Sequence, residues 1–192
     1  HRRHAGYPRE KAIDMAIDRD GFVNHLLEDT GEAAVGPFPK ALPFGASHVH
    51  GVSYQPDEAR KLLEEAGWKD TDGNGYVDQD GKDLTIRWLT YPGRMELPVL
   101  AELVQDNLKQ IGIKVDVECS ADHLKVLEAG NYDVYASALV TAPQDPEYFF
   151  HTCALDQSTK NRGFYHNDRL EALAKEMHQT FDIEKRNQLA IE

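Results

Sequence analysis

The chain has 192 residues, 41% of them hydrophobic and 28% charged, a length that suits one domain with a full core and a balance that excludes a disordered or membrane-embedded protein. With 33 acidic against 21 basic side chains the net charge is -12, so the long-range field repels polyanions and argues against nucleic acid as a partner. No run of about 18 apolar residues is present to span a bilayer, and the basic opening HRRHAGYPREK lacks the apolar stretch of a secretory signal, reading instead as the ragged edge of a longer sequence.

From Pro8 to Asp29, apolar Ala12, Ile13, Ala16, Ile17, Val23, Leu26 and Leu27 recur at helical spacing, broken by Asp18-Arg19-Asp20-Gly21. The pattern predicts two helices with a corner, Asp18 or Asp20 capping the second. Asp18 and Arg19 are assigned to structure over a ligand clamp. GPFPKALPFG, residues 36–45, carries three prolines and predicts an extended loop pinned by Phe38 and Phe44. Tyr54 to Trp68 reads as a capped helix, with Pro56 in the first turn, Asp57 and Glu58 at its positive end, Ala59, Leu62, Leu63 and Ala66 on one face, and Gly67 ending it.

Asp70-Thr71-Asp72-Gly73-Asn74-Gly75 places oxygen ligands at the first, third and fifth positions and glycine at the sixth, as a calcium loop does. Gly81 stands where an EF-hand has its bidentate Glu. A weak calcium site built from Asp70, Asp72, Asn74 and Asp78 therefore stands as the alternative to a plain Asp/Gly turn, which is the preferred reading.

Strands are expected over 84–89, 113–117 and 133–140, with helices over 96–111 and 122–128 between them. Strands alternating with helices imply parallel pairing and an open α/β sheet, whose ligands gather outside the carboxyl ends of the strands. Two loops then become candidates, TYPGRMEL after the first of these strands and TAPQDPEY after the last. In the first, Arg94 can pair bidentately with a ligand carboxylate and Tyr91 offers a flat face with a hydroxyl; a surface pair of Arg94 with Glu96 and a packing role for Tyr91 are the competing readings. In the second, Thr141 and Gln144 are the polar contacts of choice, and Asp145 is divided between ligand contact and a cap on the helix of 147–153, the cap preferred. A last helix is expected over 167–180.

The nine histidines form no HExxH, and His48 and His50 are the only close pair away from the terminus, so a surface role is preferred to a metal cluster. His151 is the one histidine next to a candidate loop. Cys119 and Cys153 lack CxxC spacing and read as isolated thiols, a single disulfide being the alternative. No GxSxG elbow, phosphate-cradling glycine loop or nucleophile–base pair is present, which argues against an enzyme.

In order, AIDMAIDRDGFVNHLL, GPFPKALPFG, YQPDEARKLLEEAGW, DTDGNGYVDQDGKDLTIRWLTYP, LAELVQDNLKQIGIKVDV and GNYDVYASALVTAPQDPEYFF resemble the second lobe of the dipeptide, oligopeptide and nickel solute-binding proteins of bacterial ABC importers (family 5). Within that family the chain is most similar to the nickel and metallophore-binding branch. It departs from it in the loop of Val140 to Gln144, where nickel-binding members carry aromatic residues and this chain has none.

The resemblance implies an open mixed sheet with flanking helices, a single α/β domain over 1–192 forming one lobe of a two-lobe type II (cluster C) periplasmic-binding-protein fold, the first lobe and the C-terminal return lying outside the sequence. It also implies capture of a peptide or chelated nickel by closure of two lobes, delivery to ABC permease membrane subunits, and a monomer in the periplasm or outside the cell, with lipoprotein anchoring as an option. Nickel enters as cargo and not as a cofactor. The stretch at Arg162 matches the family's segment near the cleft and joins the candidates. A sensory or chaperone-like peptide-binding module is the alternative function.

Overall fold

The computed structural model describes residues 8–28, 30–139 and 145–192. The chain divides into two compact units, one holding most of the first 33 residues with Val52–Ala138, the other Ala34–Gly51 with the C-terminal residues from Leu139. The calls on Val140, Thr141 and Gln144 lie outside the described residues.

In the larger unit, α1 (Pro8–Met15) meets a short α2 (Arg19–Gly21) that runs on into a π turn at Phe22–Leu26. The expected corner is present: the Asp18 carboxylate accepts the Gly21 N–H at 2.8 Å, and Arg19 is held by Asp14. The buried Asn107 accepts the Asp18 N–H at 2.9 Å, anchoring the corner to the fourth helix. Helix α3 (Pro56–Glu65) has proline at its first turn and Asp57 and Glu58 beside the positive end of its dipole, and it packs on α1.

A two-residue ladder, β1 (Asp78–Gln79) with β2 (Lys82–Asp83), follows the 70–77 loop. Its turn, Asp80 at φ 54° and Gly81 at φ 70°, is the left-handed pair a tight hairpin demands, and the sequence reading did not anticipate it.

The parallel sheet has β3 (Thr85–Thr90) at its centre, β4 (Lys114–Cys119) on one side and β5 (Val134–Tyr135) on the other. Helices α4 (Glu96–Gln110) and α5 (His123–Ala129) make the two crossovers. Ile86, Trp88, Val104, Leu108, Ile113 and Val115 form the core with Ala12, Ala59 and Leu63 from α1 and α3. Gly112, at φ 79°, is required before β4, since a Cβ there would lie 2.9 Å from the Val77 Cγ1.

The third strand is much shorter than the expected 133–140. Ala136 donates the last ladder bond to Leu89 O at 2.9 Å; then the Thr90 hydroxyl donates to Ala136 O at 3.0 Å and the Tyr91 hydroxyl accepts the Ala138 N–H at 3.2 Å. Side chains thus replace backbone partners and end the strand. Its register is fixed upstream by Asp133, which takes Arg87 through Nε and Nη2, each at 3.0 Å.

In the smaller unit, the proline-rich loop is pinned as expected: Phe38 and Phe44 are buried edge to face at 4.9 Å, and Phe38 also meets Phe149 and Phe150. Helix α6 (Pro146–Phe149) continues into a π turn at Phe150–Ala154. Helix α7 (Asp168–His178) is capped by Asn167, whose side-chain oxygen accepts the Arg169 and Leu170 N–H groups, and α8 (Ile183–Ile191) by Asp182. Leu155, Leu173, Ala174 and Met177 are buried. Cys119 and Cys153 are both free thiols; burial pushes the Cys153 thiol up. No described helix is long and apolar enough to cross a membrane.

Candidate functional site

Parallel strands place their carboxyl ends together, and here β3, β4 and β5 end at Thr90, Cys119 and Tyr135. The residues just beyond them build a stack. The Tyr91 ring lies on the His123 ring at 4.3 Å and 22°, and the Tyr135 ring lies beside this pair, 6.0 Å from His123 at 17° and 6.4 Å from Tyr91 at 39°. Tyr132 meets Tyr135 at 6.4 Å. His123 opens α5, so its ring is held by a helix start and two aromatic faces; its buried Nδ1 has no hydrogen-bond partner among the described residues. Tyr91, His123 and Tyr135 are each partly exposed, and Cys119 beside them is exposed.

Arg94 lies three residues past Tyr91 on an exposed turn. Its guanidinium makes no ion pair with a described residue, Glu96 included, while Arg94 O accepts the Leu97 N–H at 3.2 Å. A half-exposed aromatic surface, and on the same loop a guanidinium that pairs with no described residue, suit a small ligand that carries a carboxylate and a planar or apolar part. Of the sequence candidates, these strand ends hold Tyr91 and Arg94.

Asp145 and His151 belong to a different arrangement, in the smaller unit. The Asp145 carboxylate accepts the Glu147 N–H at 3.0 Å, capping α6, and also takes Arg186 at 3.1 Å. Arg186 reaches Glu147 Oε2 at 2.8 Å; the other oxygen, Oε1, is faced by His178 Nδ1 at 2.6 Å and His151 Nε2 at 3.2 Å. Burial pushes the Glu147 carboxyl up, but the hydrogen bonds and charges of Arg186 and His178 outweigh it, and the group sits below the ordinary carboxylate value. Arg162 lies on an exposed turn braced by Asn161, whose side chain donates to Leu155 O and Tyr165 O.

The 70–78 loop uses its oxygens internally. Asp70 accepts the N–H groups of Gly73 at 2.7 Å and Gly75 at 2.9 Å, Asp72 accepts that of Asn74 at 3.1 Å, and Asn74 Oδ1 accepts that of Tyr76 at 2.8 Å. The buried Asp78 accepts from the Thr71 backbone at 2.7 Å and from its hydroxyl, which hold its carboxyl below the usual range.

Cavities among the described residues lie elsewhere. One of about 280 Å³ in the smaller unit is lined by Phe150, Tyr165, Leu173, Met177 and Leu189, and one of about 550 Å³ lies by the amino end of β4, between Arg60, Trp68, Lys109 and Gly112.

Sequence reasoning did not find His123, Tyr135, Glu147, His178 or Arg186. The i, i+4 spacing of Glu147 and His151 was readable once a helix was expected there. His178 and Arg186 reach the same carboxylate from 31 and 39 residues away, a separation that leaves no local signal.

Comparison with known proteins adds the family. A model described as bacterial extracellular solute-binding proteins, family 5 Middle, matches residues 10–161. Oligopeptide-binding protein AppA of Bacillus subtilis (strain 168) is 32% identical over 180 residues, which cover 86% of this chain and 32% of AppA. Nickel-binding protein NikA of Staphylococcus aureus (strain NCTC 8325 / PS 47) is 26% identical over 184 residues, 94% of this chain and 35% of NikA. The crystal structure of Staphylococcus aureus NikA in complex with Ni(L-His)2 superposes with a TM-score of 0.82 at 24% identity, over 96% of this chain and 38% of that one, a likeness of fold. The chain spans about a third of the length of these relatives. Its α/β architecture is a part of the type II periplasmic-binding-protein fold, and with 10–161 matched the chain belongs to the bacterial extracellular solute-binding proteins, family 5.

Proposed function

We propose that this chain is the middle, ligand-facing part of the substrate-binding component of an ABC importer, and that it receives a peptide or a nickel chelate at the carboxyl ends of β3, β4 and β5. The observation that carries the reading is the Tyr91–His123–Tyr135 ring cluster at the strand ends, with Arg94, which makes no ion pair with a described residue, three residues beyond Tyr91 on an exposed turn. The rings take the ligand's planar or apolar part and Arg94 its carboxylate, a pairing common to a peptide terminus and to an amino-acid chelator of nickel.

The names of AppA and NikA support both cargoes, and the family consists of binding proteins, so we assign binding and no catalysis. Nickel is cargo here; the 70–78 loop is assigned a structural turn and no calcium. Within the natural protein, closure of a partner lobe would complete ligand burial, for which about 70–90% coverage is usual. We place the protein in the periplasm or at the outer face of the cell, as a monomer that hands its ligand to permease membrane subunits, with a lipoprotein anchor as one means of retention.

The test is calorimetric titration of the full natural protein carrying this sequence with nickel plus L-histidine and, in parallel, with a di- and tripeptide mixture. Binding in either arm that Arg94→Gln and Tyr91→Ala each weaken by about tenfold, roughly 1.4 kcal/mol, supports the site. Binding untouched by both substitutions removes the strand ends from the site, and no binding in either arm removes the cargo assignment.

A further inference from the structure

Among the described residues, two groups of three side chains each bring metal-capable atoms within 4.8 Å of one another. Asp70, Asp72 and Asp78 form the all-carboxylate group, whose oxygens already accept the N–H groups of their own turn. The second group mixes donor types. We propose that Glu147, His151 and His178 form a binding site for a divalent transition-metal ion of the zinc and nickel class, held directly by protein side chains and not through a chelator.

The geometry follows from the helices. Glu147 in α6 and His151 in the π turn that prolongs it are four residues apart and share one face. His178, the last residue of α7, closes on the same carboxylate oxygen, so that Oε1 has ring nitrogens at 2.6 and 3.2 Å. Metal–ligand bonds of about 2.0–2.1 Å in a tetrahedral arrangement ask for ligand atoms roughly 3.3 Å apart. Rotation of the two rings supplies that spacing, because the His151 and His178 side chains are 51% and 74% exposed. The same exposure leaves the remaining coordination positions to water.

The carboxylate is oriented for the task. Arg186 binds its other oxygen, Oε2, at 2.8 Å and is itself tied to Met177 O at 2.7 Å, as outer partners of metal ligands commonly are. Asp145, 3.1 Å from Arg186, offsets the guanidinium charge, so two carboxylates against one guanidinium leave the site net negative before an ion enters. Two imidazoles and one carboxylate oxygen favour zinc, nickel or copper over calcium and magnesium, which prefer all-oxygen sites.

The test uses this chain after treatment with a chelator. Zinc is titrated by calorimetry, and cobalt(II) binding is followed by visible absorption. One equivalent is expected, with an absorption band reporting nitrogen ligation, and calcium does not compete. His178→Gln and His151→Gln should each weaken zinc about tenfold or more, while His48→Gln, at another histidine, leaves it unchanged. The melting temperature of metal-free His178→Gln verifies that this exposed substitution keeps the fold. Absence of zinc binding by the parent chain, or full retention in a folded His178→Gln variant, overturns the site. The transport reading is unaffected by either result, because it rests on Tyr91, Arg94 and His123.

Discussion

The loop of Asp70 to Asp78 and the cluster around Glu147 are both rich in carboxylates, yet they use them differently. In the loop, each of the three carboxylates, Asp70, Asp72 and Asp78, accepts at least one backbone N–H from within eight residues, so they build their own turn. In the cluster, Asp145 caps α6 and also takes the distant Arg186, while Glu147 gives one oxygen to Arg186 and turns the other to His151, four residues on, and to His178 from α7. A carboxylate satisfied by its own loop shapes the chain, whereas one faced by distant side chains is where tertiary structure assembles new chemistry.

Breaking the cluster should have the largest effect. Arg186→Ala leaves Oε2 of Glu147, whose side chain is 14% exposed, without its guanidinium and removes a donor from Met177 O and Thr180 O; a loss of about 3 kcal/mol is expected by urea denaturation. Arg186→Lys, with a point charge in place of the fork, should recover only part of it. Asp70→Ala sharpens the contrast at lower cost. It removes an acceptor from the N–H groups of Gly73 and Gly75 on an exposed turn, which water can replace, so about 1 kcal/mol is expected from the same measurement.

The smallest effect is one of pH. Hydrogen bonds from Thr71 hold the folded Asp78 carboxyl below its unfolded value of 3.8. Its contribution is therefore present above pH 3.8 and lost as pH falls through the folded value. Stability curves of the parent and Asp78→Asn should lie apart at neutral pH and converge below 3.8; a constant separation would count against the linkage.

Much of the larger unit was legible in the chain. Helical spacing predicted α1, α3 and α4, its break at Asp18-Arg19-Asp20-Gly21 predicted the corner before α2 with Asp18 or Asp20 as cap, and the strand–helix alternation predicted parallel pairing of β3, β4 and β5, because each rests on patterns along the chain. The rule that ligands lie past the carboxyl ends of such strands directed attention to Tyr91 and Arg94. It did not predict His123 and Tyr135, whose rings meet Tyr91 only because β4 and β5 flank β3.

The sequence alone thus determined α1, α3, α4, the parallel sheet and the resemblance to family 5, all of which are written in local spacing or in ordered blocks. Only the tertiary structure decided where β5 stops, because the partners that end it are the side chains of Thr90 and Tyr91, 46 and 47 residues away in the chain. It also decided that His178 and Arg186 reach the Glu147 carboxylate that His151 faces from one turn away, for the same reason: those distances are set by how helices pack, and no periodicity of the chain records them.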